Sequence, residues 1–225
     1  MSQLTILSVV IGSRAYGIHN ENSDTDIRSV VITPTSELLS VQKTNFEVKS
    51  KHKQEDGQDD VSYEIGHFLH LAIASNPTIL EIFVCPVKTI TPLGYELRDL
   101  FPYVWSSQGV RNAFMGYSTN QVKRAKEGGG GLPDKRNRKF LMAYIRTLIF
   151  GGYLLTYGTL PIPLDEDVKK LLLDIKSGEI KPAAVMKLGE IYAGTLINAF
   201  NNAPVKLSDI TKVNEFLLRV RKDNW

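Results

Sequence analysis

The chain predicts an α+β fold in which a mixed sheet with helices fills the N-terminal part and a helical C-terminal part follows. Two observations carry this. Short apolar, β-branched runs bounded by polar turns mark residues 1 to about 62, the last of them running to 65, whereas from Gly66 onward the apolar positions recur mostly at helical spacing. The corresponding domain division is residues 1–90 for the sheet domain and 91–225 for the helical domain.

The elements follow in chain order. Residues 6–11 form a continuous apolar run, the pattern of a strand buried on both faces, and Gly12-Ser13 break it and can open a helix. Residues 27–32 read as a second strand, and residues 44–50 and 61–65 as two more. Residues 67–74 carry a helical apolar face that Asn76-Pro77 should stop, because the residue before proline is pushed out of the α region. A short apolar segment at 79–84 leads to a connector bearing Pro86 and Pro92. Helical periodicity then marks residues 109–126, 138–156, 165–177, 183–199 and 209–221.

Composition narrows the classes. With 43% hydrophobic and 23% charged residues, the 225-residue chain can bury one large core or two small ones. A net charge of +3 is slight, so contact with nucleic acid would need a local patch and not the overall field. The single cysteine, Cys85, excludes an internal disulfide and lies in an apolar run, as inert core does. The start lacks a basic leader, and no uncharged apolar stretch nears the roughly 20 residues of a membrane span. The expectation is a cytoplasmic protein without a membrane partner.

Chemistry concentrates near the start. Asp24 and Asp26 stand two residues apart, twelve and fourteen residues after Gly12. On a strand, residues i and i+2 share a face, with Cα atoms roughly 6.5 Å apart. Two such carboxylates can clasp a pair of divalent ions about 3.5 to 4 Å apart, the arrangement used for in-line phosphoryl chemistry. A glycine-serine turn that offers backbone N–H groups to an anion completes a constellation suited to nucleotidyl transfer.

These residues resemble the DNA polymerase β-type nucleotidyltransferase superfamily. The fuller text Gly12-Ser13-Arg14-Ala15-Tyr16-Gly17 with Ser23-Asp24-Thr25-Asp26-Ile27-Arg28 is similar to one branch of it, the RNA-repair-associated nucleotidyltransferases called RlaP. Asn76-Pro77-Thr78-Ile79-Leu80-Glu81 resembles that branch's Asn-Pro-x-x-Leu-Glu segment, and Lys139, Arg146 and Ile175-Lys176-Ser177-Gly178 resemble its helical-half signatures. In one departure, Ala143 stands where the family often has histidine. The resemblance implies a polymerase β-like catalytic domain followed by helices, with a nucleoside triphosphate as substrate. It also implies two Mg²⁺ ions, or Mn²⁺ in their place, held by Asp24 and Asp26 and a third acid, and an RNA acceptor such as a tRNA end. A bacterial or phage source would suit such a chain.

The third acid lies on one segment. Strand alternation sets Asp60, Ser62 and Glu64 on one face and Val61, Tyr63 and Ile65 on the other; if the apolar set faces the core, Asp60 or Glu64 can reach the cleft. By resemblance the role falls on Asp60, which would then join Asp24 and Asp26 as catalytic and metal-holding residues. The plain alternative is an exposed acidic hairpin tip. Gly12, Ser13, Arg14 and Arg28 are the phosphate-binding candidates beside the motif, joined through the resemblance by Lys139 and Arg146. Seven cations (Lys123, Arg124, Lys126, Lys135, Arg136, Arg138, Lys139) flank the tetraglycine at residues 128–131 and could hold a triphosphate or an RNA backbone, or form a solvated helix pair. Tyr16 and Tyr117 are candidates for stacking a base, with packing as the alternative. Two further readings remain open: nucleotidylation of a protein or small-molecule hydroxyl, and a catalytically silent, antitoxin-like binding module.

Overall fold

The apolar run at residues 6–11 is the buried part of β1 (Leu4–Ile11), whose Ile6, Leu7 and Val9 are shielded from solvent. It lies near the middle of a five-stranded mixed sheet of order β3-β4-β2-β1-β5, with β2 at Thr25–Ile32, β3 at Ser50–Glu55, β4 at Gln58–Glu64 and β5 at Val87–Ile90. β2 and β4 pair in parallel; all other pairs are antiparallel. The computed structural model describes residues 3–41, 50–55, 58–127 and 135–225. The expected strand at 44–50 therefore lies outside the described residues except for Ser50, as does the tetraglycine.

The helices of this unit start and stop where the sequence has caps. α1 (Gly12–Tyr16) follows β1 directly, and α2 (Thr35–Leu39) follows β2. α3 (Ile65–Ile73) begins at Glu64, whose carboxylate accepts from the Gly66 N–H at 2.7 Å, and buries Ile65, Phe68, Leu69 and Ala72. It gives way at Ser75, which has a φ of +56°, and Asn76 then caps α4 (Pro77–Ile82), with Pro77 in the first turn. Phe68, Phe83 and Phe101 stack in sequence through the core beneath, with ring centroids 5.1 and 5.7 Å apart.

Clustering of the chain divides it into residues 1–105 with 207–225, and residues 106–206. The sequence placed its division at residue 90. α5 (Pro92–Asp99) belongs with the sheet because Thr91 donates to the Ile6 carbonyl through its N–H and its hydroxyl, at 3.0 and 3.2 Å. α10 (Ile210–Asp223) belongs there too, since Arg221 forms a two-pronged ion pair with Glu64 at 2.7 Å for each prong. The Thr35 hydroxyl, which donates to the Arg221 carbonyl at 2.7 Å, fastens the same helix end.

Among the described residues the second unit is four helices: α6 (Ser107–Glu127), α7 (Lys135–Tyr157), α8 (Glu166–Ser177) and α9 (Pro182–Asn202). α7 packs against the other three and is the unit's core helix. By length and composition α7 could cross a bilayer, but its apolar side, including Leu141, Ile145, Leu148 and Leu154, is buried among its neighbours. Small residues permit this packing: a Cβ on Gly151 would fall 2.6 Å from Leu196 and 3.0 Å from Phe114. α8 opens on Asp165, which caps Val168, and closes on Gly178 in the left-handed conformation.

Candidate active site

Gly12 leaves β1 with a φ of +69°, a conformation that residues with a Cβ rarely adopt. A Cβ there would stand 2.7 Å from Asp26 Oδ2, so glycine is what lets the turn lie against this carboxylate. Ser13 comes next, at the start of α1. The helix lasts five residues and closes on Gly17, with the Ile18 N–H donating to the Ser13 carbonyl at 2.9 Å.

Tyr16, the last residue of α1, takes the packing role. It is 4% exposed, and its hydroxyl donates to the carboxylate of Glu81 on α4. Burial pushes the Glu81 carboxyl up to about 8, so at neutral pH this group is held mainly in its protonated form. Burial, reinforced by Glu81, also pushes the Cys85 thiol far above its ordinary range and leaves it inert. The Gly-Ser turn is thereby anchored from below through Tyr16 to Glu81.

The approach to the acids is ordered by local polar bonds. Asn20 Oδ1 accepts from the Asn22 N–H at 3.1 Å and from the Ser23 hydroxyl at 3.0 Å. Arg14 Nη2 donates to the Ser23 carbonyl at 2.8 Å. Asp24 follows, exposed, immediately ahead of β2, and Asp26 is the second residue of that strand. Asp26 alone of the two is held in the alternation of the strand.

Across the sheet, Asp26 is paired with Ile11 of β1 and with Asp59 of β4. Paired residues on neighbouring strands share a face, so Asp59 lies on the face of Asp26. Asp60 is paired with Ile27 and takes the opposite face, away from Asp26. The acid nearest in register to the Asp-x-Asp pair is therefore Asp59, one residue before the one singled out by sequence. Arg28, also on this face, gives Nη2 to Asp59 Oδ2 at 3.2 Å and Nη1 to the carbonyls of Asp59 and Ile27 at 2.9 and 2.8 Å. Glu64, the other candidate, is spent on Arg221 and on capping α3. Among the described residues no three His, Cys, Asp or Glu side chains gather closely enough to hold a metal by themselves.

The family is now decided. A family model described as RlaP, the RNA repair pathway DNA polymerase beta family, matches residues 3–188. The chain belongs to this family. This RlaP protein is a polymerase β-like nucleotidyltransferase, an α+β enzyme with a mixed sheet followed by helices. Among solved structures it is similar to a nucleotidyltransferase-like protein from Exiguobacterium sibiricum, with 10% identity and a TM-score of 0.30 over 98% of this chain and 74% of that one. No curated protein matches it.

The remaining family positions of this RlaP protein fall in its second unit. Lys139 is exposed on α7, and Arg146 lies seven residues further along the same helix, near two turns on and so on the same face. Arg146 is stacked over Phe150 at 5.5 Å, and desolvation lowers its guanidinium to about 10, which leaves it charged at neutral pH. Sequence reasoning missed two features of the catalytic unit. Asp60 was singled out by resemblance, whereas strand register sets Asp59 on the face of Asp26, and the Tyr16–Glu81 bond joins two family motifs whose contact no local pattern announces.

Proposed function

We propose that this nucleotidyltransferase moves a nucleoside monophosphate from a nucleoside triphosphate to a hydroxyl at an RNA end, with pyrophosphate leaving. The observation that supports the reading most is the packing of the Gly12 turn on Asp26, which keeps the space beside that carboxylate clear of any Cβ. The Asp24 and Asp26 carboxylates suit Mg²⁺, which commonly uses one or two carboxylates together with substrate phosphates. A pair of Mg²⁺ or Mn²⁺ ions held by Asp24 and Asp26 would supply charge neutralisation of the triphosphate and a more acidic attacking hydroxyl.

The chain's own residues do the rest. Ser13 and the N–H groups of the Gly12–Ser13 turn orient the phosphates, and Arg14 holds the 20–24 loop so that Asp24 meets them. The acceptor oxygen forms its bond to the α-phosphorus as the bond from that phosphorus to the pyrophosphate oxygen breaks. The hydroxyl proton passes to a carboxylate, and Asp59, in register with Asp26 and 42% exposed, is better placed for this than Asp60. The RNA acceptor is supported by the family's description as an RNA repair pathway.

The test is incubation with each labelled nucleoside triphosphate, Mg²⁺ and a panel of RNA ends, proteins and small hydroxyl compounds. Label should pass to RNA, and Asp24→Asn or Asp26→Asn should cut transfer by at least about a hundredfold, roughly 2.7 kcal/mol in barrier. Label found only on protein or small molecules refutes the acceptor. Full activity in the double Asn variant refutes the site.

A further inference from the structure

Four cations of the second unit come together, and none of them forms an ion pair among the described residues. Lys135, Arg138 and Lys139 stand at i, i+3 and i+4 on the first turns of α7, so they share one helix face. Lys176 of α8 is close enough to Lys139 and Lys135 that, after desolvation, their charges lower its pKa. Arg138 lies against Gly178, where a Cβ would meet its Nη1 at 2.6 Å, and its Nε is buried without a hydrogen-bond partner among the described residues.

The fold does not account for this gathering. On the same α8, Lys169 and Lys170 are paired with Glu166 and Asp174 at 2.8 Å, whereas Lys176 has no such acid among the described residues. Like charges at i, i+4, as in Lys135 and Lys139, cost an isolated helix about 0.2 to 0.5 kcal/mol. The first turns of a helix favour anions, and α7 has no acid in its first turn but presents cations there. The C-terminus of α8 offers about half a negative charge, which could balance one cation but not four. Arg138 is half-buried, and the outer N–H groups of a guanidinium so placed can meet a phosphate in two-pronged fashion.

We propose that Lys135, Arg138, Lys139 and Lys176 form a binding site for the phosphodiester backbone of the RNA strand. This rests on the RNA acceptor proposed above. The anion supplies acceptors to the Arg138 fork, relieves repulsion among the lysines and meets the N-terminal end of α7 from its favourable side. Contact with successive phosphates releases condensed counterions, so affinity depends steeply on salt.

The experiment uses the full chain and a fluorescently labelled single-stranded RNA, with anisotropy followed over a salt series. In Lys135→Gln/Lys139→Gln/Lys176→Gln the log-log salt slope should be shallower by about two units, since each lost single-strand contact removes about 0.7. The triple Lys→Arg variant should restore it, which separates loss of charge from damage to the fold. Nucleoside triphosphate affinity is measured in parallel. An unchanged slope, a wild type that does not bind RNA, or a loss confined to triphosphate binding would overturn the proposal. The Asp24→Asn/Asp26→Asn variant is titrated alongside: loss of transfer with the slope retained tests the catalytic reading separately, so that either can fail alone.

Discussion

Replacing Glu81 by Gln should make the protein more stable at alkaline pH and leave it nearly unchanged at acid pH. Glu81 is 5% exposed, and burial raises its carboxyl from the ordinary 4.5 to about 8. The unfolded chain therefore gives up this proton near 4.5, while the folded chain keeps it to about 8. Between those values the folded state binds more protons, so stability falls as pH rises. The contribution is fully present below the unfolded value and lost once pH has passed the folded one. At about 1.4 kcal/mol per pH unit, the loss has a ceiling of roughly 5 kcal/mol. Donation from Tyr16 favours the ionised form and reduces it, so a change of a few kcal/mol is expected.

Glutamine keeps the shape and an oxygen to accept from Tyr16, but it cannot ionise. Urea unfolding of both proteins at roughly pH 5, 7 and 9 isolates the effect, because all other titrations are common to the pair. The midpoints should nearly coincide at the lowest pH and diverge in favour of the Gln variant toward the highest. If the two curves run parallel across the series, the carboxyl is not held protonated and the account of its burial is wrong.

The other expectations concern the acids of β4. Asp59→Asn should lower transfer far more than Asp60→Asn, with triphosphate affinity changed less than turnover; the reverse order in steady-state kinetics would return the base to Asp60. Glu64→Ala should cost about 3–5 kcal/mol, since it leaves Arg221 only 18% exposed and without its partner, while transfer per folded molecule persists. A double-mutant cycle with Arg221→Met checks this, and additive effects would show that the pair does not couple.

What could be read from sequence was what local chemistry dictates. β1 and β2 were legible as apolar runs and α8 from its helical periodicity over 165–177, because each signal acts within a few residues. Asp24 and Asp26 stand out in the sequence by their spacing, and the structure holds Asp26 in β2 with Asp24 just ahead of that strand. β5 was read as a connector because its Val87, Lys88 and Thr89 are exposed at the sheet edge, where no apolar pattern is required. On β4, Val61 and Tyr63 share one face and Asp60 and Glu64 the other, as alternation requires. Val61 and Glu64 are both buried, on opposite faces, so both sides of the strand are covered and alternation alone cannot name the inner one. Only the register with β2 decides that Asp59 neighbours Asp26, and register is set by strands far apart in sequence. The return of α10 has the same character: its periodicity announces a helix, but its place depends on Arg221 finding Glu64 across 157 residues. That pair ties the last turns of a helix beyond the matched family region to the strand bearing the candidate base, so the C-terminal segment supports β4 without entering the chemistry.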